Sequence, residues 1–147
     1  MGLFDSINIS ASGLTAERLR MDIISQNIAN ANTTRTSDGL PYRRKMVVFQ
    51  ESQSIEPFSS FLSRAKSDFK KSGVKVSSIV EDRSEFKLVY NPGHPDADEN
   101  GYVRMPNVDI MVEMVNMISA TRAYEANVTS INSTKSMILK ALDIGKI

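Results

Sequence analysis

A repeat near the carboxyl end constrains this chain more than any other feature. Ile110, Met114, Met117, Thr121, Tyr124, Val128, Ile131, Lys135, Ile138 and Leu142 follow one another at alternating spacings of four and three, and eight of the ten are apolar. A 3.5-residue period held this long keeps one seam on the same side of a helix turn after turn, which is the pattern of a helix wound against a partner. At 1.5 Å per residue the helix would be roughly 55 Å long. A compact domain of 147 residues has little room for such a rod. Asn107, after Pro106, reads as the N-cap with Asp109 in the first turn, and Gly145 with Lys140 and Lys146 suits the end.

The amino-terminal segment carries a second stripe at the same spacing: Phe4, Ile7, Ala11, Leu14, Arg18, Met21, Ser25 and Ile28, broken at Arg18 and Ser25 and widened by Ile24 and Ala31. The helix should end near Ala31, because Asn30, Asn32, Thr33 and Thr34 offer the backbone competing hydrogen bonds. Between the helices the period becomes two. Residues 42–49, 74–80 and 86–90 read as strands, 102–105 as a weaker fourth, and together they predict a small antiparallel sheet. Phe58, Phe61, Leu62, Ala65 and Phe69 recur at helical spacing and suggest a short helix near 58–69. The expected fold is α+β, with two long terminal helices paired as an antiparallel coiled coil around a small antiparallel β domain. Its parts are an N-terminal helix over 1–34, a β-rich domain over 35–106 and a C-terminal helix over 107–147.

One pairing cannot satisfy these helices. From Val108 to Ile118 the apolar residues surround most of the circumference, and a helix apolar on nearly every side must be buried on more than one. The rest of the chain is too small to cover it, so neighbouring copies or partner chains are the natural source of burial. The expected assembly seam comprises Ile7, Leu14, Met21, Ile28, Ile110, Met114, Met117, Tyr124, Val128, Ile131, Ile138 and Leu142.

Other functions find little support. With 18 basic and 17 acidic residues, no field of one sign steers the chain to nucleic acid, and Arg43, Arg44 and Lys45 read as the solvated face of a strand. No cysteine is present, which removes disulfides, thiolate metal sites and cysteine nucleophiles. The single histidine, His94, sits between Gly93 and Pro95 in a turn-rich stretch, with no nucleophile motif to complete a catalytic site. No enzyme activity, metal, cofactor or small-molecule substrate is expected. No run approaches the roughly 18 apolar residues of a membrane span, and the amino terminus lacks the pattern of a cleaved signal. The rival reading is a calcium-regulated binding module. Asp96, Asp98, Asn100 and Gly101 match the opening of an EF-hand loop, yet its twelfth position is Asn107 rather than Glu, and Pro92 and Pro95 stand where the entering helix should be. Turn formation before the last helix explains the same residues.

The stretch SGLTAERLRMDIISQNIANANTT, residues 12–34, resembles the amino-terminal pattern of flagellar rod and hook proteins, centred here on Asn27, Ile28, Asn30 and Asn32. Residues 89–128, with PYRRKMVVF at 41–49 and GVKVSSIVED at 73–82, are similar to proximal rod members of that family. The resemblance implies export through the flagellar type III apparatus without a cleaved signal, then polymerisation in the periplasmic space into the torque-transmitting rod. The partners it implies are further copies in a helical rod, other proximal rod proteins, the distal rod protein and the adaptor joining rod to membrane ring. Residues 52–70 look enlarged relative to shorter members.

Overall fold

A computed structural model describes residues 3–52 and 72–145. The elements run α1 (Leu3–Ala29), β1 (Lys45–Glu51), β2 (Val74–Glu81), β3 (Lys87–Tyr90), β4 (Tyr102–Met105) and α2 (Ile110–Ile144). The architecture is α+β, with terminal helices flanking a small antiparallel β region, as the periodicities predict. The proposed helix near 58–69 lies outside the described residues.

α2 has 35 residues, about 52 Å at the helical rise. Its cap is Asp109, not Asn107: Asp109 has extended φ and ψ and its Oδ1 accepts from the Met111 and Val112 amides at 3.0 and 3.4 Å. Those N–H bonds, with Lys87 nearby, hold the Asp109 carboxyl below its ordinary pKa. Asn107 is used one step earlier, where it accepts from the Arg44 amide at 2.8 Å and donates to the Asp82 carbonyl and the Ser84 hydroxyl. α1 stops at Ala29, just short of Ala31, where Asn30 turns its side chain back onto the Gln26 carbonyl at 2.9 Å.

The helices run antiparallel. Ser10 Oγ donates to Ser130 Oγ at 3.3 Å, Thr121 Oγ1 lies 3.7 Å from Met21 Sδ, and Asn27 Nδ2 donates to Glu113 Oε2 at 2.9 Å, so a step along α1 is a step back along α2. On each partner one line at 3,4 spacing is buried or half-buried throughout. The lines are Ile7, Ser10, Leu14, Glu17, Met21, Ile24, Ile28 and Ala31, and Glu113, Met117, Ala120, Tyr124, Asn127, Ile131, Thr134 and Ile138. The helices approach closely at Gly13, where a Cβ would meet the Asn127 amide group at 3.0 to 3.2 Å.

The β region is two separate two-stranded ribbons, not one sheet. β1 pairs antiparallel with β2 from Lys45↔Glu81 to Glu51↔Val74, with an irregularity at Val48/Phe49, and β3 pairs with β4 from Lys87↔Met105 to Tyr90↔Tyr102. Residues 82–86 lie between the two ribbons, and two of their carbonyls, those of Asp82 and Ser84, are taken by side chains. Arg43 donates to the Asp82 and Ser84 carbonyls and lies 4.3 Å over the Phe86 ring. The first ribbon starts against α1, where Val74 N donates to Ser12 Oγ at 3.0 Å and a Cβ at Gly73 would overlap that hydroxyl. The second ribbon turns at Gly101, whose φ of 78 favours glycine.

The close approach at Gly13 gives a test of helix pairing. Gly13→Leu should destabilise the chain by about 1–3 kcal/mol through overpacking. Adding Asn127→Ala should recover much of that loss, because the clash is with this one side chain. Denaturant unfolding of both variants measures it; losses that simply add would refute the approach.

Candidate functional site: an assembly surface and the polar node beneath it

Where α1, β1 and α2 meet, the most deeply buried large side chains include two polar ones, Asn27 and Glu113, each 1% exposed. Burying them is tolerable only if every polar atom is bonded. Asn27 achieves this completely. Its Nδ2 donates to the Lys45 carbonyl at 2.8 Å and to Glu113 Oε2, while its Oδ1 accepts from Lys45 N at 2.9 Å and Tyr42 Oη at 3.0 Å. Glu113 Oε1 receives Arg44 Nε at 2.8 Å and Nη2 at 2.7 Å. One asparagine thus ties the end of α1 to the start of β1 and, through Glu113 and Arg44, to the first turns of α2. Burial, and then the charges of Glu81 and Glu113, push the Tyr42 phenol above its ordinary pKa. Ala31, Tyr42 and Val108 form a buried apolar cluster beside the network.

Arg44 is therefore not a solvated strand residue, as the basic run suggested; its side chain is 22% exposed and faces a buried carboxylate. Glu113 belongs to no sequence motif; the available signal is that, apart from the N-cap Asp109, it is the one acid within the apolar stretch Val108–Ile118. Asn27 was found only through the family pattern.

Of the expected seam, Ile7, Leu14, Met21 and Ile28 on α1 and Met117, Tyr124, Val128, Ile131 and Ile138 on α2 are half-buried. Ile110, Met114 and Leu142 are exposed. The structure brings the α1 set together with Met117, Tyr124, Ile131 and Ile138 along the intrachain pairing and leaves Ile110, Met114 and Leu142 facing outward. In the motif, Asn27 is buried, Ile28 and Asn30 are half-buried and Asn32 is exposed.

The outward face of α2 is apolar at both ends. At its start Met111 (72%), Met114 (51%), Val115 (65%) and Ile118 (53%) form one exposed stripe, and at its end Met137, Leu139, Leu142 and Ile144 are exposed. Arg122, Glu125, Thr129, Ser133 and Ser136, also exposed, lie between them. Beside the first stripe, a groove of about 250 Å³ runs between the second ribbon and α2, lined by Ala31, Val89, Met105, Val108, Ile110 and Met111 among others.

The proposed calcium loop is a turn. Asp96 Oδ2 accepts from Thr34 Oγ1 at 2.8 Å, Gly101 N donates to the Asp98 carbonyl at 2.8 Å, and Asn107 in the twelfth position is bonded to Arg44, Asp82 and Ser84. Asp96 N donates to His94 Nδ1 at 3.1 Å, which gives the histidine a place in the same turn. Among the described residues, no group of three or more acidic or histidine side chains gathers to hold a metal, and no helix is long and apolar enough to cross a membrane.

Residues 7–35, most of α1, match the family model described as flagella basal body rod protein, and residues 99–144, β4 through α2, match that described as flagellar basal body rod FlgEFG protein C-terminal. Paired terminal helices carrying both signatures define the class as a flagellar axial protein. The flagellar basal-body rod protein FlgC of Bacillus subtilis (strain 168) is 53% identical over 99% of this chain and 100% of its own length. The FlgC proteins of Borreliella burgdorferi and Salmonella typhimurium are 51% and 44% identical, over 98% and 99% of this chain and 98% and 100% of their own lengths. This chain belongs to the FlgC family of flagellar basal-body rod proteins.

Two outcomes follow for the node. Arg44→Met leaves the Glu113 carboxylate buried without its cation and should cost about 3–5 kcal/mol, whereas Arg44→Met with Glu113→Met should recover most of it; equal losses in urea unfolding would contradict the pairing. Tyr42→Phe should cost about 1 kcal/mol at neutral pH. Because the folded phenol has the raised pKa, its contribution is whole below about pH 10 and is lost as pH climbs toward the folded value. The gap between parent and Tyr42→Phe should therefore narrow above pH 10, and a widening gap would reverse the assignment.

Proposed function

We propose that this chain is a structural subunit of the flagellar basal-body rod, set in its proximal part, which polymerises through its terminal helices and transmits motor torque. The observation that carries the reading is α2 itself. One face is already engaged by α1, yet its start and its end expose apolar side chains, and exposed apolar patches of this kind mark interaction surfaces. The polar node supports it by fixing how the two helices are presented. Family membership supports assembly with other rod proteins in the basal body; we infer further copies, other proximal rod proteins, the distal rod protein and the rod to membrane-ring adaptor as neighbours, the flagellar export apparatus as the route, and the periplasmic space as the place. No reaction is assigned to the chain, and the Asp96 to Gly101 loop is a structural turn.

Met114→Asp separates assembly from folding. Met114 is 51% exposed, so the purified variant should stay within about 0.5 kcal/mol of the parent, yet be missing from isolated basal bodies and leave cells non-motile. Normal incorporation and motility would remove this face from the assembly surface, and motile cells lacking the chain altogether would sink the rod reading.

A further inference from the structure

A cavity of about 290 Å³ lies where α1, β1 and the start of α2 meet, walled by Met46 and Phe49 and carrying Arg20, Arg44 and Lys45 against one carboxylate, Glu113. The charges do not balance. Arg44 engages Glu113 at 2.7 Å, while Arg20 reaches Glu17 only at 3.7 Å. Lys45 makes no ion pair among the described residues, although Glu81 stands opposite it in the strand pair, and its ammonium lies 5.8 Å over the Tyr42 ring. Cations gathered at a hollow favour an anionic partner. At about 30 Å³ per water, the hollow has room for a long side chain rather than a lone ion.

The matching acids are on the same chain. Asp98 and Glu99 are exposed at the turn of the second ribbon, and neither forms an ion pair among the described residues. The turn is preorganised: Asp98 N donates to the Tyr102 carbonyl at 2.8 Å, Gly101 N donates to the Asp98 carbonyl at 2.8 Å, and Asp96 accepts from Thr34. It therefore presents both carboxylates at little further cost in ordering. At its foot Tyr90 and Tyr102, 65% and 44% exposed, meet edge to face at 5.3 Å, and Phe49 on the cavity wall is itself 37% exposed. Exposed aromatic side chains of this kind are enriched at protein interfaces.

We infer that this cavity receives the Asp98–Glu99 turn of a second copy of the chain, the acids meeting Lys45 and Arg20 and the tyrosine pair lying against Phe49. This deepens the rod reading and rests on it. No residue of the turn lines the cavity of its own chain, and the bond from Thr34 to Asp96 holds the turn to the segment that follows α1. The match is therefore made between copies. Turn and cavity are different patches, so the contact is heterologous, and each copy gives its turn to one neighbour and its cavity to another. The joint runs through the β elements rather than the helical seams, and it gives the acids of the Asp96 to Gly101 turn a role that does not involve a metal.

The chain has no cysteine, so introduced thiols are its only ones. Asn100→Cys, beside the acids, and Asn116→Cys, on the cavity wall, leave every charge in place. In basal bodies from cells carrying only the double variant, a short bismaleimide should link this chain into dimers and higher multiples, whereas either single variant should stay monomeric. A double variant that is incorporated but stays monomeric, or that links only to a different protein, overturns the contact and leaves the rod reading intact. Absence of the parent chain from basal bodies would defeat both. A second arm adds Asp98→Lys and Glu99→Lys, exposed positions whose change should not alter the circular dichroism of the purified chain. The linked multiples should then fall at least about tenfold, and a further Lys45→Glu should restore them in part. Multiples that persist undiminished after the charge reversal likewise overturn the contact.

Discussion

The bond between Asn27 and Glu113 is the constraint on which the rest of this structure depends. Both side chains are buried and polar, and such a pair is stable only in the one arrangement that satisfies all of its atoms. An apolar seam of 3.5-residue period tolerates a slip by one heptad, since each turn looks much like the next. The node does not. Asn27 bonds Glu113, Tyr42 and both backbone groups of Lys45, so the register of α1 on α2 and the point where β1 departs are set together. Buried polar groups that fix register are well attested in paired helices.

That device suits the small core found among the described residues. Among the described residues the buried apolar side chains are Ala16, Ile23, Ile24, Ala31, Tyr42, Val103, Val108 and Ala120, while much of the larger apolar surface of α2 faces outward. A chain built this way presents its helices in a defined geometry and leaves apolar surface of α2 exposed. In the rod reading proposed above, the same helix serves an intrachain pairing on one face and an assembly surface on another, which would account for its being apolar nearly all the way round at its start.

Much of this was legible in the sequence. The two helices, four strands and their order follow from hydrophobic period, and the family follows from residues 12–34 and 89–128. The intrachain seam was only half legible. Met117, Tyr124, Ile131 and Ile138 lie on it, but their companions are Glu113, Ala120, Asn127 and Thr134, small or polar residues that a hydrophobic count passes over. The apolar alternatives Ile110, Met114 and Leu142 turned outward, and Arg18 and Ser25, which broke the α1 stripe, are exposed beside a seam that runs through Ser10, Glu17 and Ile24. Period finds the helix, whereas hydrogen-bond partners decide which face goes inward. The split of the β region was hidden for a similar reason: Arg43 and Asn107 bond the Asp82 carbonyl, and Arg43 the Ser84 carbonyl, and backbone acceptors leave no mark on residue type.

The central claim is that the outward apolar ends of α2 are covered once the chain is in place. Brief peroxide oxidation of methionine reads this directly, with the free chain compared against purified basal bodies by mass spectrometry. Met111, Met114 and Met137, exposed at 72%, 51% and 57%, should oxidise readily in the free chain and be protected in basal bodies. Met117, already half-buried against α1, should change less. Equal oxidation of the three exposed methionines in both states would contradict the account.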